Sequence, residues 1–463
     1  MRLMRGCLLV GLLAASAMFG QQGVGQGQFQ GSVPMGAVSP APLALTLHDA
    51  IDRGLKANLG LLVAASTSEL SRGQRLQALS ALLPEAHAEV SETDEQLNLK
   101  TLGFNVSIPG VNIPSISGPF HYTDARAYAS WNAFDYSARK NYRSAQENGR
   151  AAQLSVMDAR DLVVQATASA YLQIIADASR VQAIRSQVET AQALYDRTVD
   201  QQNAGTAAGI DVLRSQVELK QQQQRLRGQT NQFDKDKLAL SRVIGLPPGQ
   251  EFNLAETAPF SPLTSLTQDQ ALSTALAQRP DYKSYQARVR AAEDSLRAAR
   301  GERYPTAAIT ANYGDVGYTL ASSHGTFGVT ASASVNIFDG GRIGADVIQA
   351  QASLKQRQDE LADLGGQIDY QVRASFLDIQ TAADQVAVAQ DNLVLANQTL
   401  TQARDRFAAG VTDNIEVVQA QESVASASDN LISSLYAHNV AKIGLARALG
   451  DAEQGIQKLM EVK

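Results

Sequence analysis

The chain is poor in several things at once. Its 463 residues include one cysteine and one tryptophan, and aromatic residues make up only 6%. The single thiol, Cys7, excludes a disulfide framework and a cysteine-built metal site. The five histidines, His48, His87, His121, His324 and His438, are scattered without metal-ligand spacing. Gly340-Gly341-Arg342-Ile343-Gly344 lacks the strand-turn-helix setting of a nucleotide loop, and there is no Gly-x-Ser-x-Gly elbow. The net charge of −6 comes without a Lys/Arg stripe, which argues against nucleic acid as a partner. Neither an enzyme nor a bound cofactor or metal is expected.

Long apolar runs are also missing. The run Cys7 to Ala15 follows Met1-Arg2-Leu3-Met4-Arg5 and ends in the small-x-small triplet Ala15-Ser16-Ala17, so residues 1–17 read as a secretory signal. A membrane anchor would need about twenty apolar residues. Met4-Arg5-Gly6 is no lipobox for Cys7. With no other candidate helix, a chain that crosses a membrane must cross it with strands.

What the chain does have is itself, twice. Gly205-Thr-Ala-Ala-Gly-Ile-Asp211-Val-Leu-Arg-Ser-Gln216 returns 205 residues later as Gly410-Val-Thr-Asp-Asn-Ile-Glu416-Val-Val-Gln-Ala-Gln421. The same offset maps Leu172 to Leu377, Leu240 to Leu445, Arg242 to Arg447 and Gly245 to Gly450. One offset held for more than seventy residues marks a tandem duplication. Each copy of the break places a glycine where a helix ends, restarts the apolar periodicity, and sets an acid in the first turns of the next helix. Those are the tips of two αα-hairpins, near 203–211 and 408–416.

Taken in order, residues 18–43 form a Gly/Gln/Pro-rich leader expected to be disordered. The first repeat then spans 44–250, a linker 251–264, the second repeat 265–450, and a tail 451–463. Each repeat opens with a helix, to about Leu83 and to Tyr304, closed by Pro84 and Pro305 at an offset of 221. A strand pair follows in each, over 84–135 and 305–339. Phe327, Val329, Ala331, Ala333, Val335 and Ile337 alternate with polar residues, as do Ala125, Ala127, Ala129, Trp131 and Ala133. Small apolar residues on one face and polar ones on the other, over about ten residues, are the pattern of membrane barrel strands. The strands end in Asn132-Ala-Phe134-Asp135 and Asn336-Ile-Phe338-Asp339, at an offset of 204. The first pair carries 17 extra residues within Leu102–Pro119, expected as an extracellular loop. Beyond each pair lie 67 and 68 residues free of proline, Ser137–Asn203 and Gly341–Ala408. At 1.5 Å per residue such helices run about 100 Å. Val181, Ile184, Val188, Ala191 and Tyr195 space as a coiled-coil seam, as do Val386, Ala389, Leu393, Ala396 and Leu400.

The fold class is therefore mainly α with a membrane β-barrel. Four strands cannot close a barrel, since the smallest have eight, and open edges in lipid are forbidden. The barrel must be shared between chains; two would fill eight strands with side chains, three would give twelve and a lumen. The polar inner face favours the lumen. A soluble periplasmic coiled-coil adaptor or structural protein, the rival reading, explains the helices but not the strand pairs.

Over nearly its whole mature length the chain resembles the TolC-like outer-membrane efflux protein family. Arg404-Asp-Arg-Phe-Ala-Ala-Gly410 through Glu416-Val-Val-Gln-Ala-Gln421, and Gly205 through Asp211-Val-Leu-Arg-Ser-Gln216, carry the likeness. It implies a homotrimer in outer-membrane lipid, with a 12-stranded β-barrel and a 12-helix tunnel in the periplasm. It also implies a periplasmic membrane-fusion adaptor and an inner-membrane efflux pump or ABC transporter as partners. The tips would close the tunnel, with Asp211 and Glu416 as acids at the constriction. Phe407 stands where a hydrogen-bonding tyrosine can occur in the family and Thr412 where an arginine can, which leaves packing and the adaptor to set the resting state of the tip. Trp131 shares the apolar parity near a strand end and is expected at the lipid-facing periplasmic interface, where aromatic girdles sit.

Overall fold

A computed structural model describes residue 29, residues 31–101, 114–256, 260, 266–412 and 414–460. The expected signal, residues 18–28 and 30 of the leader, the inserted loop over 102–113 and half of the linker lie outside the described residues.

The elements run β1 Leu43–Leu45, α1 Leu47–Ala57, α2 Leu59–Ser80, β2 Glu85–Asn98, β3 Ile116–Phe134, α3 Tyr136–Asn203 and α4 Gly209–Ile244. The second half runs β4 Phe252–Leu254, α5 Gln268–Gln278, α6 Pro280–Gly301, β5 Thr306–Gly317, β6 His324–Ser334, α7 Arg342–Ala408, α8 Asn414–Leu449 and α9 Ala452–Met460. The duplication is visible throughout. α3 and α7 have 68 and 67 residues, and α4 and α8 have 36 each.

Four departures from the sequence reading stand out. The opening helix of each repeat is broken in two, at Asn58 and at Arg279, which are counterparts at the 221 offset. Asn58 adopts φ −64°, ψ 126°, and its side chain accepts from Gly60 N to start α2. Arg279 precedes Pro280, which bars it from helical backbone and then serves as N1 of α6. Second, residues 31–43 are tied down. Val33 N donates to Ala57 O and Met35 N to Gly245 O, both at 2.9 Å, and β1 pairs in parallel with β4. Third, Ala452–Met460 in the tail forms a helix. Fourth, β6 stops at Ser334 rather than running on through Phe338.

The four long strands make one antiparallel sheet in the order β2-β3-β5-β6, with β2 and β6 at the edges. Glu85 lies opposite Ser130 in the first pair and Thr306 opposite Ser334 in the second. The two hairpins join through β3 and β5, where Trp131 faces Ile309 and Ala129 faces Ala311. Ala127, Ala129, Trp131, Ile309 and Ala311 thus share one face. On the other, Arg126 donates to Asp124, to Asn312 Oδ1 at 2.6 Å and to Thr326 Oγ1 at 2.9 Å.

The main core sits midway along the helices. Val164, Ala168, Tyr171 and Ile174 of α3 pack on Leu45, Ala50, Leu240, Ile244, Phe252 and Ile443. Tyr171 is fully buried, and its hydroxyl donates to Leu45 O at 2.9 Å. Burial of a ring this size is worth roughly 2–3 kcal/mol. It anchors the β1–β4 ribbon onto the helical shaft.

Candidate functional site

The two hairpin tips are built alike. Gly205 N donates to Gln202 O and Thr206 N to Gln201 O, at 2.9 and 2.8 Å. Gly410 N donates to Phe407 O and Val411 N to Arg406 O, at 3.1 and 3.0 Å. Every donor and acceptor in the second set is the counterpart of one in the first. Both glycines have positive φ, +76° and +70°, the left-handed conformation that lets the last carbonyls find partners.

The acids enter just beyond. Asp211 lies in the first turn of α4 and pairs with Arg214 at 3.4 Å. Glu416 lies in the first turn of α8 and pairs across its own tip with Arg406 at 3.6 Å. Both pairs are solvent-accessible, so each adds little to stability. The cations partly offset the carboxylate charge.

Phe407 is half-buried against Leu194, Leu400, Ala403, Val417 and Ala420, and the Arg197 guanidinium lies 5.6 Å from its ring centre. Thr412 is half-buried on the second tip. Three further contacts tie the first hairpin to the second, and none was legible in the sequence. Asn414 Nδ2 donates to Asp211 O at 2.9 Å, tip to tip. Arg225 pairs with Glu422 at 3.1 Å, and Arg180 with Asp429 at 2.9 Å. Helical periodicity says which face a residue occupies, not which helix will meet it. Asn414 alone carried a local signal, as a polar residue opening a helix.

Between the starts of α4 and α8 runs an apolar groove of about 400 Å³, lined by Ile210, Leu213, Val217, Ile415 and Val418. At the far end of the molecule, Trp131 remains 43% exposed on the apolar face of the sheet. Its indole Nε1 donates to Leu82 O at 3.1 Å, where α2 leads into β2.

A third cluster joins the repeats halfway along. Arg279 bridges Asp281 at 2.6 Å and Gln371 at 2.7 Å, while Arg447 pairs with Asp158 and lies 3.7 Å from Asp281. Asp161 accepts from Ala452 N, the start of α9. Burial pushes the Asp161 carboxyl up to about 6, and Asp158 is raised for the same reason. Burial pulls the other way on the base side, holding His438 and Lys442 below their ordinary values. Among the described residues no group of His, Cys, Asp or Glu is arranged to hold a metal ion, and no helix is long and apolar enough to cross a membrane.

A helical shaft about 100 Å long, two tip turns and a four-stranded sheet with an apolar face agree with what the chain is similar to. Residues 271–451 match the family model described as outer membrane efflux protein. The pyoverdine export outer membrane protein OpmQ of Pseudomonas aeruginosa is 23% identical over 419 residues, 88% of this chain and 85% of that one. The chain is thus similar to outer membrane efflux proteins, over residues 271–451 by the family model and over most of its length by this relative. Another relative, the toluene efflux pump outer membrane protein TtgC of Pseudomonas putida, is 24% identical over 335 residues, 68% of this chain and 64% of its own length. Among solved structures, the Campylobacter jejuni CmeC outer membrane channel superposes with a TM-score of 0.75 at 18% identity, covering 88% of this chain and 86% of that one. The outer membrane protein VceC of Vibrio cholerae also gives 0.75, at 18% identity, covering 87% and 96%. Identities this low establish the fold. Its relatives are channel proteins rather than enzymes.

Proposed function

We propose that three copies of this chain close one twelve-stranded barrel and a twelve-helix tunnel, and that the tunnel is the exit duct of a tripartite efflux or type I secretion system. The unclosed sheet carries this reading, because β2 and β6 present unpaired edges while the sheet's apolar face belongs in lipid. An inner-membrane pump and a periplasmic adaptor supply substrate at the tip end. The polar face of β3, β5 and β6, with Arg126 held by Asp124, Asn312 and Thr326, lines the way out. Trp131 sits at the periplasmic lipid interface, its ring in the apolar band and its N–H satisfied by Leu82.

At the entrance, Asp211 and Glu416 form rings of three carboxylates that attract cations. Phe407 and Thr412 add packing to the tips, and Asn414 supplies the polar tie between them. Planar-bilayer conductance tests the entrance, comparing wild type with Glu416→Ala, Asp211→Ala and the double variant. Removal of Glu416 is expected to weaken block by hexamminecobalt; unchanged block in the double variant would reduce both acids to helix-start residues. Heat-modifiable migration and light scattering in detergent test the assembly, and a stable monomer in aqueous buffer would refute it.

A further inference from the structure

The duplication specifies how one copy meets the next. Two offsets relate the strands: 204 carries β3 onto β6, and 221 carries β2 onto β5. The observed registers obey both. Glu85 faces Ser130, and their counterparts Thr306 and Ser334 face each other. The junction between the repeats, β3 against β5, places Ser130 opposite Thr310, Trp131 opposite Ile309 and Phe134 opposite Ala307. One chain contains this junction once. Its counterpart would join β6 to β2, the two edges that a single chain leaves open.

An independent observation marks the same place. β3 runs to Phe134, whereas β6 ends at Ser334, four residues before the matching Phe338. The last residues of β3 lie beyond the start of β2, and only β5 pairs with them. The equivalent residues after Ser334 have no such neighbour in one chain. There Val335, Ile337 and Phe338 are 54%, 95% and 91% exposed. The composition still reads as strand, and what is missing is the partner backbone.

We infer that β6 pairs with β2 of a second copy in the register of the internal β3–β5 junction, and that residues 335–338 complete their strand only on assembly. This rests on the trimer reading. In that register Ser334 faces Glu89 of the partner subunit, Val335 faces Ala88 of the partner subunit, and Phe338 faces Ala86 of the partner subunit. Val335 and Ala88 fall on the apolar face, Ser334 and Glu89 on the polar one. A slip of one residue would exchange the faces, so competing registers differ by two.

Cysteine pairs decide it, since Cys7 lies in the expected signal and the rest of the chain has no thiol. Val335→Cys/Ala88→Cys and Ser334→Cys/Glu89→Cys test the proposed register. They lie on opposite faces, so one of them is a non-hydrogen-bonded pair with its side chains close. Val335→Cys/Ala86→Cys and Ser334→Cys/Ser91→Cys test slips of two in either direction. On mild oxidation in detergent, at least one matched pair should give covalent dimers and trimers on non-reducing gels. The slipped pairs should give at least fivefold less. In the unsubstituted protein, amides 335–338 should exchange slowly with deuterium. Light scattering of the reduced variants separates the two ideas. A monomer would refute the trimer and the register together. A trimer in which slipped pairs cross-link as well as matched ones, or in which 335–338 exchange freely, would overturn the register alone.

Discussion

Two glycines with nearly the same backbone show how the cost of a side chain depends on its surroundings. Gly205 and Gly245 have φ of +76° and +69°. A Cβ at Gly205 would meet nothing within 4 Å, whereas at Gly245 it would strike the Ala57 methyl and come 2.9 Å from Val33 O. Left-handed backbone costs an alanine about 1–2 kcal/mol in either place, and overpacking adds roughly 1–3 kcal/mol at Gly245. Gly245→Ala should therefore lower the melting temperature of the helical signal markedly more than Gly205→Ala. Asp161 gives a pH-dependent prediction. Its folded-state pKa, about 6, lies above the ordinary 3.8, so the folded chain holds this proton more tightly than the unfolded one. The ionised form costs stability above pH 6, and that cost fades as pH falls from 6 toward 4. Asp161→Asn, which keeps an acceptor for Ala452 N, should raise the melting temperature at pH 7.5 and have a shrinking effect toward pH 4. Trp131 should be quenched by brominated lipids in a bilayer. Unquenched emission would make it a packed residue at the strand–helix junction.

At the scale of elements, α3 is one continuous helix that changes partners along its length. It packs on α6 and α2 toward the sheet, on α1 at the core, and on α4 and α8 toward the tip. Arg180 couples the two hairpins where this last exchange occurs. It pairs with Asp177 and Asp429, and its guanidinium also donates to Ser433. Asp177 is 1% exposed, and burial raises its pKa. Arg180→Ala would leave that carboxyl with the Gln173 and Gln229 amides and the neighbouring Asp236 carboxyl but no cation, an imbalance of about 3 kcal/mol. Hydrogen exchange in α3 and α8 around residues 177–180 and 429–433 should speed up accordingly. Arg225→Ala breaks a pair in which both partners are well exposed, and should change exchange by less than about 1 kcal/mol. The breaks in the opening helices belong to this scale too. Pro280 announced the second, but Asn58 has no proline beside it and required a tertiary reason. Its Nδ2 donates to Phe29 O at 2.6 Å, and Leu59 N to Gly31 O at 2.9 Å.

For the whole molecule, the shape of one chain is explicable only as a part. The described residues hold a sheet with two open edges, and exposed apolar side chains cluster on one of its faces and beyond the end of β6. A protein that stayed monomeric would leave edges and apolar band in water, the condition that invites aggregation. The proposed assembly in lipid would remove both.

Composition and repetition determined much of this on their own. The absence of a long apolar run left strands as the way through a membrane, and proline-free stretches of 67 and 68 residues required long helices. One offset of 205 was enough to foresee equivalent tips, and the observed hairpin registers follow the offsets of 221 and 204. These features are local or periodic, so side-chain spacing encodes them directly. The tertiary structure decided what meets what: Asn414 on Asp211, Arg180 between the hairpins, β1 beside β4, Asp161 at the start of α9. Such contacts join residues from about two hundred to nearly three hundred positions apart. Only the packing of the chain against itself brings their donors and acceptors within 3.5 Å, and no spacing in the sequence measures that distance.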